Sequence, residues 1–190
     1  FNASTFASLV TISTLSDMYS AVTTAIGTLK GPLHGGANEG VMHMLQEIDS
    51  VESVDSFVMQ KFANNEKIMG FGHRVYKAYD PRATYLKTFA EGIAQDTGNM
   101  DLFEKSQKIE EVMDREVGAK GIYPNVDFYS ATTYFSLGIE LDLFTPLFAM
   151  SRVSGWTAHC LEYLQNNRLI RPRCDYNGPH EQEYVSVSLR

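Results

Sequence analysis

Two histidines stand beside glycines in predicted breaks between helices, where a side chain can meet a small molecule. His34 is followed by Gly35-Gly36, and His73 ends the run of residues 70–73, Gly-Phe-Gly-His. A histidine flanked by glycine is a good candidate for binding or acid–base chemistry, because glycine lets a ligand approach the backbone. A solvated or turn-capping histidine is the alternative for either residue alone. We expect His43 and His159 to be structural, and His180 to be exposed.

Asp127 is the carboxylate that could act as a base. It ends the sequence Pro-Asn-Val-Asp and directly precedes a segment that contains Phe128, Tyr129 and Tyr134. Burial among these rings would raise the pKa of the carboxyl and make it a usable general base. The alternative is an ordinary helix N-cap, which the local sequence alone favours.

Three arginines, Arg82, Arg152 and Arg171, are candidate clamps for an anion. Arg152 is the only Lys, Arg, Asp or Glu between Asp142 and Glu162, in a predicted apolar helix. An arginine in such surroundings requires an anionic partner. That partner is either a carboxylate of the protein or a substrate carboxylate held bidentately.

The composition excludes several classes of protein. The 190 residues are 44% hydrophobic and 21% charged, which is ordinary for a globular protein, and the net charge of −7 argues against a nucleic-acid binder. No run approaches the ~20 apolar residues that span a bilayer, and no signal peptide is visible. Cys160 and Cys174 are interpreted as free thiols, with a disulfide as the alternative. We therefore expect a cytoplasmic protein without nucleic-acid or membrane partners.

The elements that must position these residues are mostly helical. Apolar spacings of three and four predict one helical stretch within Phe1–Leu29, and Asp80-Pro81 predicts a capped helix start. Alternation over residues 184–189 predicts a short C-terminal strand. Further helices are predicted over about 38–49, 55–64, 81–95, 100–117 and 146–164, and residues 128–138 form a short, aromatic-rich segment.

Three motifs, in order, resemble those of the citrate synthase family, which includes the 2-methylcitrate synthases. Residues 31–38, Gly-Pro-Leu-His-Gly-Gly-Ala-Asn, resemble the first catalytic-histidine motif. Residues 70–75 followed by Asp80-Pro81-Arg82 resemble the second, and residues 124–127 resemble the aspartate motif. Ser151-Arg152 and Arg171-Pro172 extend the resemblance over essentially the whole chain. It implies an all-α fold in which 37–135 form a small CoA-binding domain and 1–36 and 136–190 belong to a large domain.

The resemblance also implies a role for each site residue in the tricarboxylic acid cycle reaction of acetyl-CoA with oxaloacetate. Asp127 would remove a methyl proton from acetyl-CoA, and His34 would stabilise the enol or enolate. His73 would polarise the ketone of oxaloacetate. The other implied contacts are Arg82, Arg152 and Arg171 with the oxaloacetate carboxylates, and Gly70, Phe71, Gly72 and Lys77 with CoA.

This chemistry needs no metal and no cofactor, since acetyl-CoA is a substrate. The resemblance implies a homodimer or higher oligomer in which Arg171 reaches the partner's site, and we expect Phe1–Leu29 to form the interface. Closure of the small domain would exclude water. We favour citrate over 2-methylcitrate as the product, although one methylene changes binding by only ~1–3 kcal/mol and no residue decides the choice.

The resemblance has one departure. A further oxaloacetate-binding histidine of the family precedes the segment that begins here at Phe1, so we expect a C-terminal portion that is inactive alone. Two other classes remain open. His34, His73 and Asp127 could form a two-histidine, one-carboxylate iron site. Alternatively, Phe1–Leu29 could serve a non-catalytic helical dimerisation fragment.

Overall fold

The computed structural model describes residues 1–73, 76 and 78–190. Over these ranges the structure is all-α, as predicted, and its one extended pairing is an isolated antiparallel bridge between Phe71 and Pro124. None of the described helices has the length and apolarity needed to cross a membrane. The helices are α1 Ala3–Ser13, α2 Met18–Leu29, α3 Ala37–Gln46, α4 Val54–Ala63, α5 Pro81–Thr97, α6 Met100–Val117, α7 Val126–Ser136 and α8 Phe144–Leu164.

The N-terminal segment forms two helices, so the prediction of one helical stretch across Phe1–Leu29 is wrong. The chain reverses after α1, where Leu15 adopts a φ of 63°. Asp17 then begins α2, and its carboxylate accepts a hydrogen bond from the backbone N–H of Ser20 at 2.9 Å. Apolar spacing continued across the turn, but a left-handed residue followed by an N-cap ends one helix and starts another.

The predicted C-terminal strand is also wrong. Residues 187–189 form a short 3₁₀ turn, and Tyr184, Val187 and Leu189 are exposed. Alternation along a sequence yields a strand only where a neighbouring strand supplies the ladder hydrogen bonds. No strand is present in the described part of the chain to provide them.

Two groups of helices form the apolar interior. The larger core joins α3–α7 and the start of α8, and its buried centre includes Val41, Ile109 and Phe128. Two smaller clusters lie between α1, α2 and α8 and are centred on Ile12 and Trp156. Both predicted thiols are free, with Cys160 buried and Cys174 exposed. The domain boundaries after residues 36 and 135 remain a prediction.

Candidate active site

A cavity of about 340 Å³ lies where the two groups of helices meet, and it brings together five of the ten predicted site residues. Arg171 does not line it and is exposed in the C-terminal segment. Gly70, Phe71 and Gly72 lie outside it as well, while Lys77 falls outside the described residues. The lining residues are Asn2, His34, His73, Tyr76, Arg82, Asn125, Val126, Asp127, Phe148 and Arg152.

His34 lies in the turn between α2 and α3, and its ring faces the N-terminus of α1. The backbone N–H of Ser4 donates to His34 Nε2 at 3.3 Å, and Ser4 Oγ lies 2.8 Å from the same nitrogen. Because a backbone N–H can only donate, Nε2 must be an acceptor. The neutral ring therefore carries its proton on Nδ1, which can donate a hydrogen bond to a ligand.

The surroundings of His34 disfavour its charged form. Burial lowers the pKa of the imidazole, and the positive charge of Arg152 lowers it further. The partial positive charge at the N-terminus of α1 acts in the same direction. His34 is thus a neutral hydrogen-bond donor, suited to stabilising an oxygen that gains negative charge.

Ser4 is itself held in place by a buried side chain from the middle of α8. The indole N–H of Trp156 donates to Ser4 Oγ at 3.2 Å, and Ser4 Oγ lies 2.8 Å from Asn2 Oδ1. Sequence reasoning missed all three residues. The Asn-Ala-Ser-Thr run was a local signal for a helix N-cap, and Asn2 does cap α1. Nothing local linked this run to His34, which is 30 residues from Ser4.

A short pairing of two loops places the second histidine motif beside the aspartate motif. The N–H of Asn125 donates to Gly70 O at 2.9 Å, and its side-chain amide donates to Gly72 O at 3.0 Å. Gly70 has a φ of +80°, and a Cβ there would lie 2.7 Å from Val41. Glycine is therefore required where the loop crosses the core. Asn125 is a positioning residue that sequence reasoning did not single out.

His73 projects from this loop and is exposed. The backbone N–H of Tyr76 donates to His73 Nδ1 at 3.0 Å, and the two rings lie 4.8 Å apart. With Nδ1 accepting, the neutral ring carries its hydrogen on Nε2. A ring N–H donor of this kind can polarise a carbonyl oxygen.

Asp127 is the second residue of α7. The N-cap is Asn125, whose side-chain oxygen accepts the N–H of Asp127 at 2.9 Å, so the N-cap interpretation of Asp127 is wrong. Burial raises the pKa of the Asp127 carboxyl to about 6, opposed by Arg82 and assisted by Asp80. This confirms the predicted rise. A carboxylate with this pKa is ionised at neutral pH and is a stronger base than an exposed aspartate.

The two arginines of the cavity differ in their partners. Arg82 forms a bidentate pair with Asp80 through Nε–Oδ1 at 3.0 Å and Nη2–Oδ2 at 2.7 Å. Arg152 lies over the ring of Phe148 at 5.0 Å, and its buried Nη1 has no hydrogen-bond partner within the described ranges. Burial and the charge of Arg82 lower the pKa of Arg152. These contacts favour the alternative in which a ligand carboxylate, and not a protein one, neutralises Arg152.

Among the described residues, the histidine and carboxylate side chains are not arranged as metal ligands. In the part of the chain that the structure describes, no group of three or more His, Cys, Asp or Glu side chains could hold a metal ion. The iron-site alternative therefore lacks a geometric basis among those residues.

Comparison with known proteins shows which family the chain belongs to. Residues 1–173 match the family model for the C-terminal domain of citrate synthase. The chain belongs to the citrate synthase family. It is 57% identical to Citrate synthase 2 of Bacillus subtilis over 100% of its length, and 53% identical to the citrate synthase of Deinococcus radiodurans, also over 100%. In both comparisons it covers 50% of the relative, so the chain spans about half the length of these family members.

Solved citrate synthase structures share the fold. The citrate synthase of Thermoplasma acidophilum, solved as a ternary complex with carboxymethyl coenzyme A and oxaloacetate, has a TM-score of 0.94 to this chain. It is 46% identical, and the match covers 100% of this chain and 51% of that one. The family also includes 2-methylcitrate synthase 1 of Corynebacterium glutamicum, which is 47% identical over 100% of this chain and 49% of its own length.

Proposed function

We propose that this chain provides the reacting groups of a citrate synthase, which condenses acetyl-CoA with oxaloacetate and water to give citrate and CoA. The observation that carries the proposal is one cavity that contains a neutral hydrogen-bond donor, a half-buried base and an arginine whose buried Nη1 has no hydrogen-bond partner among the described residues. These are His34, Asp127 and Arg152. The complex of the Thermoplasma acidophilum relative with a CoA derivative and oxaloacetate supports the same pairing of ligands.

Binding of oxaloacetate would use the positive side of the cavity. A dianionic ketoacid would supply a carboxylate partner for the Nη1 of Arg152. Its other carboxylate could bind the guanidinium of Arg82, which is half-exposed beside its partner Asp80. His73 Nε2–H would then donate to the ketone oxygen, which makes the ketone carbon more electrophilic. Arg171 would complete the clamp from a partner subunit.

Carbon–carbon bond formation would use Asp127 and His34. Asp127 accepts a proton from the methyl group of acetyl-CoA while His34 Nδ1–H donates to the thioester oxygen, which stabilises the enol or enolate. The methyl carbon then attacks the ketone carbon, and the ketone oxygen takes up a proton from His73. Water cleaves the thioester and releases CoA. We assign Gly70, Phe71, Gly72 and Lys77 to CoA binding on the family resemblance alone.

The proposed unit is a homodimer or a higher oligomer. The α1–α2 hairpin leaves several large apolar side chains exposed, including Phe6, Tyr19 and Ile26. An apolar surface of this kind is typical of an interface between subunits. We expect it to associate with the same hairpin of a second copy, as a two-fold interface requires.

Steady-state kinetics on the full-length gene product test the proposal. We expect CoA release from acetyl-CoA that depends on oxaloacetate, and we expect Asp127→Asn to lower kcat by about 10²–10⁴-fold. Asp96→Asn, which alters an exposed aspartate on α5, is the matched control and should leave kcat unchanged. A non-catalytic dimerisation fragment would associate without turnover. Robust turnover by the 190-residue chain alone would contradict our expectation that it is inactive by itself.

A 2-methylcitrate synthase is the second candidate, because the Corynebacterium glutamicum relative carries that name. The two activities differ in whether the acyl group is acetyl or propionyl. A comparison of kcat/KM for acetyl-CoA and propionyl-CoA distinguishes them. We expect acetyl-CoA to be preferred, and a higher value for propionyl-CoA would reverse the assignment.

A further inference from the structure

A half-buried carboxylate outside the cavity, Glu110 on α6, accepts hydrogen bonds from three donors at once. The hydroxyl of Tyr79 donates to Oε1 at 2.6 Å, and the ammonium of Lys87 donates to Oε2 at 2.6 Å. The hydroxyl of Tyr129 donates to the same Oε2. The Glu110 side chain is only 15% exposed. Glu110 therefore links α6 to α5, to α7 and to the segment before α5 that carries Tyr79.

Each partner lies next to a part of the candidate site. Tyr79 directly precedes Asp80, the residue that pairs with Arg82. Tyr129 lies two residues after Asp127 on α7, so the two share one rigid helical turn. Lys87 belongs to α5, the helix that also carries Arg82. The side chain of Glu110 therefore links the segment that carries Asp80 and Arg82 to the helix that carries Asp127.

The charge of Glu110 is stabilised by the same contacts. Burial alone would raise its pKa, but the hydrogen bonds from Lys87, Tyr129 and Tyr79 keep the pKa of the carboxyl below its ordinary value. The ammonium of Lys87 also lies 5.6 Å from the centre of the Tyr129 ring. Charge-assisted hydrogen bonds in such a shielded place are shorter and more directional than exposed ones.

Apolar packing could stabilise this region equally well, because buried ion pairs add little net stability over well-packed hydrophobic residues. What the carboxylate adds is fixed geometry. Tyr129 is fully buried, and its ring packs edge-on against that of Phe128 at 5.1 Å, so the position of its hydroxyl is fixed by the core. Because Glu110 binds both hydroxyls, it fixes Tyr79 relative to Tyr129.

We propose that Glu110 is a positioning residue for the condensation, setting the separation between the Asp80–Arg82 pair and Asp127. The inference rests on the proposed function, since it assigns a role within that reaction. Glu110 touches no reacting atom and does not line the cavity. Its loss should therefore reduce the rate of the chemical step more than the binding of acyl-CoA.

The test uses Glu110→Gln, Tyr79→Phe and the double variant of the full-length gene product, with Glu111→Gln as the matched control. Glu111 is the next residue on α6, carries the same charge and is exposed. We expect Glu110→Gln to lower kcat about tenfold or more while KM for acetyl-CoA changes less than about threefold, since small misplacements cost rate. Tyr79→Phe should have a smaller effect, and the double variant should be no slower than Glu110→Gln. Glu111→Gln should match the wild type.

Assays well below each variant's melting temperature separate positioning from stability. Unchanged kcat in Glu110→Gln, a loss that only follows the unfolded fraction, or additive losses in the double variant would overturn the inference. If the wild type shows no turnover with either acyl-CoA, the proposed function fails, and amide hydrogen exchange then decides the geometric role. Glu110→Gln should speed exchange at both 78–80 and 126–129, while Glu111→Gln should speed neither. Unchanged exchange in Glu110→Gln would refute the link between the two segments.

Discussion

Replacing Asp127 by asparagine should stabilise the folded protein at neutral pH while it removes the proposed base. The side chain keeps its size, and the substitution removes only the charge that burial disfavours. Burial raises the pKa of this carboxyl from 3.8 to about 6. Each tenfold change in proton affinity corresponds to about 1.4 kcal/mol, so the ionised carboxylate destabilises the folded state by up to about 3 kcal/mol.

The sign of the pH dependence follows from which state binds the proton more tightly. The folded-state pKa lies above the unfolded one, so between pH values of about 4 and 6 the folded protein holds more protons. Stability contributed by the protonated carboxyl is fully present below pH 4 and is lost as the pH rises through 6. The asparagine variant has no carboxyl that can ionise, so its stability does not fall over this pH range for this reason. Its advantage in free energy of unfolding should therefore be absent near pH 4 and reach its maximum above pH 7.

Urea denaturation at a series of pH values from 4 to 8 measures this difference directly. Asp96→Asn serves again as the control, because it removes an exposed aspartate on α5. The wild type and the control should show parallel curves, and Asp127→Asn should diverge from both as the pH rises. A difference between Asp127→Asn and the wild type that stays constant with pH would refute the claim that burial raises this pKa.

Three further predictions concern backbone, hydrogen bonding and charge. Gly70→Ala, whose Cβ would lie 2.7 Å from a core side chain, should lower the free energy of unfolding by roughly 2–4 kcal/mol. Gly72→Ala has a similar φ but open space, so it should cost about 1 kcal/mol, and equal losses in chemical denaturation would contradict the steric argument. Ser4→Ala should cost roughly 1–3 kcal/mol because the buried indole N–H of Trp156 loses its acceptor, and an unchanged urea midpoint would count against that role. Arg152→Gln should raise KM for oxaloacetate by about 30-fold or more. It should do so without loss of stability, since the buried Nη1 of Arg152 has no protein partner within the described residues. An unaltered KM would show that this arginine does not bind oxaloacetate.

Local sequence signals identified the parts of the site that depend on neighbouring residues. The glycines beside His34 and His73 indicated loops, and Asp80-Pro81 indicated the start of α5, which the structure confirms. Such signals act over about four residues, because capping and helical periodicity involve contacts within a single turn. Phe1–Leu29 marks the limit of this approach, since apolar periodicity alone did not reveal the turn at Leu15.

The sequence by itself determined the helical class, the family resemblance and the reactive residue types. Only the tertiary structure decided how those residues work together. The proton position on His34 depends on Ser4, 30 residues away, and Glu110 meets Tyr79 across 31 residues. The raised pKa of Asp127 likewise depends on its burial in the folded chain. Hydrogen bonds of long sequence separation and desolvation exist only after the apolar faces have packed, and for this reason no local pattern encodes them.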